Sequence, residues 1–158
     1  MQIRIATSDS EIADCYSVMR ELRPGLVEDR FVARIRSQEK SGYRLAYVLE
    51  PMGVVAVAGF RMGENLAWGR YLYVDDLVTH PGHRSKGHGS RLLAWLRDLA
   101  VSEGCEQVHL DSGVQRQHAH RFYEREGMTA AGLHFVQRIA PDKPVQSDGG
   151  DGIGAPEC

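Results

Sequence analysis

The sequence predicts an α/β domain built on a mixed, mostly antiparallel sheet with helices on both faces. Three observations carry that prediction. Strand-like runs at residues 43–50, 54–61 and 68–79 are separated only by Pro51-Met52-Gly53 and Met62-Gly63-Glu64-Asn65, and turns that short imply antiparallel neighbours. Residues 70–111 then read strand, helix, strand, a unit that favours a parallel pair joined by a right-handed crossover. Two helical patterns precede the strands and others follow, enough to cover both faces of the sheet.

Each element has its own signal. Residues 2–6 alternate as a short strand, and Ser8-x-x-Glu11 offers a capping box for a helix over 9–22. Ile12, Cys15, Tyr16 and Met19 fall on one face of that helix, and Arg23-Pro24-Gly25 stops it. A second helix over 27–40 turns Phe31, Val32 and Ile35 inward and ends at Ser41-Gly42. After the three strands, Leu92, Leu93, Leu96, Leu99 and Ala100 keep helical spacing across 87–103, with Gly104 as the stop. A short strand at 107–110, a helix over 115–126 with Ala119, Phe122 and Tyr123 near one face, and a last strand over 133–139 complete the order. Residues 141–158 are rich in Pro, Gly and Asp and nearly devoid of large apolar groups, so they are expected to lack order. The domain is therefore assigned to residues 1–140 and the tail to 141–158.

Composition narrows the function classes. The 158 residues are 42% hydrophobic and 25% charged with a net charge of −2, so no global field draws the chain to nucleic acid or an anionic membrane. No apolar run approaches the roughly 20 residues that span a bilayer, and no leader pattern opens the chain, which makes the cytoplasm the expected location. Cys15, Cys105 and Cys158 share no CxxC spacing, and His80-x-x-His83 and His118-x-His120 lack matching carboxylate or thiolate partners. No metal is expected.

The most informative segment is Leu77-Val78-Thr79-His80-Pro81-Gly82-His83-Arg84-Ser85-Lys86-Gly87-His88-Gly89-Ser90. An apolar strand enters a glycine-spaced turn and leaves as a helix, so backbone amides and the positive helix end form an anion cradle. The mononucleotide pattern G-x-x-x-x-G-K-[ST] fits Gly82 and Gly87 but meets His88 in place of Lys and Gly89 in place of the hydroxyl. The dinucleotide pattern G-x-G-x-x-G finds Leu92 at its third glycine. Arg84-x-x-Gly87-x-Gly89, preceded by Val78-x-His80-Pro81 and followed by Leu92-Leu93, resembles the R/Q-x-x-G-x-G/A signature of the GNAT superfamily of acyl-CoA-dependent N-acyltransferases.

That resemblance covers roughly residues 2–139, because the element order also matches. It implies a splayed central strand pair, with the pantetheine arm of the coenzyme in the gap between residues 73–79 and 107–111. It further implies acetyl-CoA as co-substrate, held by Leu77, Val78, Thr79, Arg84, Ser85, Lys86, Gly87, His88, Gly89 and Ser90. Arg116 stands where the family commonly carries an Asn on the coenzyme arm, and either coenzyme phosphate or solvent suits it.

The segment 120–128 resembles the family's second signature, an aromatic-Tyr pair followed four residues later by Gly and an apolar residue. The resemblance carries to Tyr123 the role of proton donor to the leaving thiolate. Asp75 and Asp76 lie in the strand before the loop, where alternation turns one of them to the cleft; the resemblance favours Asp76 as the general base, with binding of the substrate ammonium or an ordered water as the alternatives. The implied activity is transfer of an acetyl group to a primary amine of a small molecule or peptide; a non-catalytic acyl-CoA-binding or sensing module is the competing reading. Family members often dimerise, so a homodimer is an expected partner state. Tyr16, Arg20, Arg23, Glu28, Asp29, Arg30 and Trp68 lie where the family selects its acceptor, and they form no motif.

Overall fold

The computed structural model describes residues 2–140, so the tail assigned to 141–158 lies outside the described residues. Its element order is β1 (Gln2–Ile5), α1 (Asp9–Asp14), α2 (Tyr16–Leu22), α3 (Glu28–Glu39), β2 (Arg44–Glu50), β3 (Gly53–Asn65), β4 (Gly69–Thr79), α4 (His88–Ser102), β5 (Gln107–Leu110) and α5 (Gln117–Arg125). The strands form one sheet in the order β1-β2-β3-β4-β5, antiparallel throughout except for the parallel pair β4 and β5. Mixed pairing and the crossover through α4 are as the sequence predicts.

Helices cover both faces. On one face α4 seats Leu92, Leu93 and Leu96 against Phe60, Leu72, Val74 and Leu77. On the other, α1, α2 and α3 bring Ile12, Val18, Met19, Phe31 and Ile35 against Leu45, Tyr47, Val57 and Val78. Each of these aliphatic or aromatic side chains contributes about 1.5–3 kcal/mol by leaving water. The Ser8 hydroxyl accepts from the Glu11 amide while the Glu11 carboxylate accepts from the Ser8 amide, so the capping box forms. Those bonds, with the Thr7 amide and the Tyr47 hydroxyl, hold the Glu11 carboxyl down at about 2.

Several boundaries differ from the sequence reading. The helix over 9–22 is two helices, because the Cys15 amide bonds the Ile12 carbonyl in a tight turn between them. β3 continues through Met62-Gly63-Glu64-Asn65, and the chain reverses one step later. There the Asn65 side chain accepts from the Trp68 amide, which supplies the turn, while Gly63 leaves room for the Tyr71 ring lying across it from β4. The strand expected at 133–139 is absent: the segment makes no ladder, and Leu133, Phe135, Val136 and Ile139 are exposed. Apolar alternation expresses a strand only where an edge receives it, and no strand among the described residues pairs with this one.

Candidate active site

The feature that positions the site is a bulge in β4. Gly59 of β3 stands opposite Asp76 and Phe60 opposite Val74, so Asp75 is an extra residue in β4. A bulge bends its strand and re-aims the side chains beyond it. Leu72 and Val74 face the α4 side before it, and Leu77 faces that side after it, a change of parity. Pairing with β5 ends at the same level, the last partners being Val74 and Leu110. From Asp75 to Thr79, β4 has no neighbour on that side among the described residues, and the sheet is open as the resemblance implied.

A cavity of about 270 Å³ occupies the point of divergence. Tyr73, Val74, Asp75 and Leu77 line it from β4, Leu110 and Asp111 from β5, and Leu22 and Arg23 from the end of α2. Gly113, Arg116 and Tyr123 close the remaining side with His134. Tyr123 reaches it because α5 presents Ala119 and Phe122 to the core and leaves the tyrosine half-buried beside them. Gly127 and Met128 amides bond the Glu124 and Tyr123 carbonyls, ending the helix at the second signature. Ser90 of α4 donates to Glu126 at 2.7 Å and ties that end to the helix that follows the β4 loop.

The carboxylates of β4 differ sharply. Asp76 points toward α2 and α3: its Oδ1 accepts from Arg23 Nε at 2.9 Å and its Oδ2 from the Tyr43 hydroxyl at 2.8 Å. Tyr43 is buried, and burial first, then the Asp76 charge, pushes its phenol well above the ordinary range. Asp75 lines the cavity instead and is gripped by Arg61, with Nη2 to Oδ2 at 2.7 Å. Burial raises its carboxyl in spite of that partner. Gly59 is part of this arrangement, since a Cβ there would meet the Tyr43 phenol and come within 2.6 Å of Asp76 Oδ2.

The loop after β4 has the form of an anion site. Leu77, Val78 and Thr79 are buried at the strand end, and His80 Nδ1 accepts from the Gly82 amide to start a 3₁₀ turn over Pro81–His83. Ser85 and Gly87 both take positive φ, 60° and 78°, and Gly87 forms the N-cap of α4. Alternating left-handed residues turn successive amides to one side, a concavity that suits an oxyanion. Arg84 supplies the charge: its Nε and Nη2 are buried and have no partner. A guanidinium in that state fits a phosphate group, which two such nitrogens bind as a fork. Lys86 and Ser85 are exposed; His88 and Gly89 are buried in the first turn of α4, and Ser90 is half-buried there. Burial lowers the His88 pKa, and its Nδ1 has no partner.

The structure thus brings Tyr123, Arg116, Leu77 and the β4 end to one cavity, with the Arg84 loop continuing the same strand. The sequence reading left Asp75 or Asp76 to face the cleft and preferred Asp76, and it gave no role to Tyr73, Asp111, Gly113 and His134 in the wall or to Tyr43 and Arg61 behind it. One legible signal was the parity change from Leu72 and Val74 to Leu77, which marks an inserted residue. Among the described residues no group of His, Cys, Asp and Glu is placed to hold a metal, and no helix is long and apolar enough to cross a membrane.

The profile of the Acetyltransferase (GNAT) family matches residues 12–128. An uncharacterized N-acetyltransferase of Bacillus subtilis, YhdJ, is 37% identical over 135 residues, which cover 84% of this chain and 95% of that protein. The aminoalkylphosphonate N-acetyltransferase of Salmonella typhimurium is 31% identical over 126 residues, 79% of this chain and 80% of that protein. Among solved structures, a Trypanosoma brucei acetyltransferase superposes with a TM-score of 0.71 at 23% identity over 87% of this chain and 99% of its own. AAC(6')-Iy bound to a CoA-linked bisubstrate analogue gives a TM-score of 0.77 at 12% identity, over 88% of this chain and 98% of its own. Profile, relatives, fold and the unpaired anion cradle agree: the chain belongs to the GNAT family and is an acyl-CoA-dependent acetyltransferase.

Proposed function

We propose that the chain moves an acetyl group from acetyl-CoA to a primary amine of a small molecule or peptide by direct attack. The observation that carries this reading is Tyr123. The tyrosine of the second signature lines the cavity where β4 and β5 part, and β4 leads from there directly into the loop holding the buried, unpaired Arg84.

Acetyl-CoA brings the acyl group as a thioester. An amine of pKa near 10.4 must lose a proton to attack, while a departing thiolate, whose thiol has a pKa near 8.5, gains from receiving one. Tyr123 Oη serves the second need, donating its proton at the sulfur. For the first need, Asp76 and ordered water compete. Both Asp76 oxygens are engaged, by Arg23 and Tyr43, and a carboxylate held by a guanidinium is a poor base. Water at the cavity mouth therefore takes the amine proton, and Asp76 fixes Arg23 in the wall. The open backbone of β4 from Asp75 to Thr79 is available to the coenzyme arm, with the Arg84 loop on its pyrophosphate.

Thiol release from acetyl-CoA across an amine panel tests the reaction. Tyr123→Phe is expected to lower kcat about a hundredfold, the scale of lost general-acid assistance, with the coenzyme A Kd within about twofold of the parent. Equal loss of turnover and coenzyme binding would remove the assigned role, and tight coenzyme binding without release from any amine would favour the sensing module.

A further inference from the structure

Two carboxylates beside the cavity are gripped by guanidiniums, while one carboxylate and one guanidinium have no partner of that kind. Asp75 is matched by Arg61 at 2.7 Å and Asp76 by Arg23 at 2.9 Å. Asp111, at the end of β5, receives the Tyr73 hydroxyl and lies 3.7 Å from His134 Nδ1, a phenol and an imidazole where its neighbours have guanidiniums. Its side chain remains 46% exposed. Arg116 is half-buried in the same wall, and its guanidinium has no hydrogen bond or ion pair among the described residues.

Both residues stand on the connection from β5 to α5, and that connection is short and fixed. The Arg116 amide donates to the Gly113 carbonyl at 3.0 Å, and the His120 ring bonds the same oxygen at 2.8 Å. A half-exposed carboxylate with only a phenol and an imidazole beside it, and a guanidinium without a partner, are therefore held on one wall of a cavity of about 270 Å³. Drawing a charge out of water without a partner is costly, and a ligand that brings the partner recovers the difference. One bringing only an ammonium would leave the Arg116 guanidinium uncompensated.

We propose that the acceptor is a compact zwitterion: Asp111, together with Tyr73, receives its ammonium, and Arg116 receives a carboxylate or phosphonate borne on the same short chain. This rests on the acyl-transfer reading above and narrows its substrate. Asp111 and Arg116 are then specificity residues, distinct from the proton donor Tyr123 and from the Arg84 loop. Once bound, the ammonium gives up its proton to water and the free amine faces the thioester.

The experiment compares thiol release from acetyl-CoA with β-alanine, aminoethylphosphonate and propanolamine, amines of similar length that differ in the distal group. The parent is expected to show kcat/KM at least about tenfold higher for an anionic amine, the scale of one charge-assisted hydrogen bond. β-Alanine in front assigns the anion to a carboxylate, aminoethylphosphonate in front to a phosphonate, and either supports the proposal. In Arg116→Ala that preference is expected to vanish, and Arg116→Lys to restore part of it. Asp111→Asn is expected to raise the KM of all three amines while calorimetric coenzyme A affinity stays within about twofold. Propanolamine used as well as the two anions by the parent overturns the proposal and leaves acyl transfer standing. So does an Arg116→Ala protein that keeps the preference and loses coenzyme affinity. No release with any amine overturns both.

Discussion

The loop that follows β4 and the cavity wall that precedes it share one strand, yet they are built in opposite ways. Between Thr79 and Ser90 the holding interactions are local: His80 accepts from Gly82, the His83 amide bonds His80, and the Arg91 amide bonds Gly87. In the wall the contacts that fix the carboxylates are distant in sequence. Tyr43 reaches Asp76 across 33 residues, Arg23 reaches it across 53, and Tyr73 reaches Asp111 across 38. A site made of backbone amides can be written in consecutive residues, because spacing alone sets φ and the direction of each N–H. A site made of opposed side chains exists only after the sheet has assembled. Substitutions in the loop should therefore act on coenzyme affinity, and those in the wall on stability and acceptor use.

The sharpest test of that contrast is Arg84→Ala. The buried Nε and Nη2 have no protein partner, so their removal takes little from the fold while a phosphate loses charge-assisted bonds worth about 1.5–3 kcal/mol. Calorimetry is expected to show coenzyme A binding weakened about ten- to a hundredfold, with Tm shifted by no more than about 2 °C. Unchanged affinity would place the pyrophosphate elsewhere and break the comparison. Gly87→Val acts at the same place through the backbone. Space is free around Gly87, but its φ of 78° is one a β-branched residue adopts only at a cost of about 1–2 kcal/mol. Its effect on affinity should be smaller than that of Arg84→Ala.

The same contrast explains what the sequence disclosed. Helices α3 and α4, the sheet order and the parallel crossover follow from apolar periodicity and turn residues, and the phosphate loop from glycine spacing. Tyr123 was singled out because its segment, ending at Gly127 and Met128, resembles the family's second signature, and the structure sets it on the cavity wall. The wall was not legible in that way. Asp75 and Asp76 are adjacent and chemically identical, and only the bulge opposite Gly59 and Phe60 decides that the first lines the cavity and the second meets Tyr43. Alternation says only that one of the two faces the cleft, and the family resemblance favoured Asp76; the bulge turns Asp75 to the cavity. Likewise Leu133 to Ile139 has the composition of a strand, but pairing is a property of two strands.

On the wall side, Gly59→Ala should cost more than a glycine-to-alanine change in a strand ordinarily would. The new methyl must displace the Tyr43 phenol or the Asp76 carboxylate, whose Oδ2 lies 2.6 Å from its ideal position. Overpacking of that kind costs about 1–3 kcal/mol, or roughly 2–10 °C in Tm for a chain of this size. Tyr43→Phe is the milder form: it keeps the buried ring and removes one donor to Asp76, for about 1 kcal/mol. Both variants should bind coenzyme A like the parent and show altered acceptor KM, the reverse of the Arg84→Ala pattern. A wall variant that lost coenzyme affinity while keeping its Tm would show that the two regions are not separable.

The smallest effect probes whether the loop uses a second side chain beside that of Arg84. His88 is 5% exposed, its Nδ1 is unpartnered, and burial lowers its pKa. The unfolded chain takes up a proton near pH 6.5 that the folded chain resists, so this group makes stability fall as pH drops below about 6.5. Asp75 acts in the opposite sense, because its carboxyl is raised and folding gains as pH falls toward the unfolded value near 3.9. A comparison of parent and His88→Leu isolates the histidine, since Asp75 is common to both. The variant should be more stable at neutral pH by up to about 1 kcal/mol, because an apolar group replaces an unsatisfied polar one. It should also lose less Tm than the parent between about pH 7.5 and 5.5. If backbone amides form the cradle, its coenzyme A affinity at neutral pH stays within about twofold of the parent, well short of the Arg84→Ala loss. A loss comparable with Arg84→Ala would make the imidazole itself a ligand, and the loop would then depend on a distinct side chain as fully as the wall does.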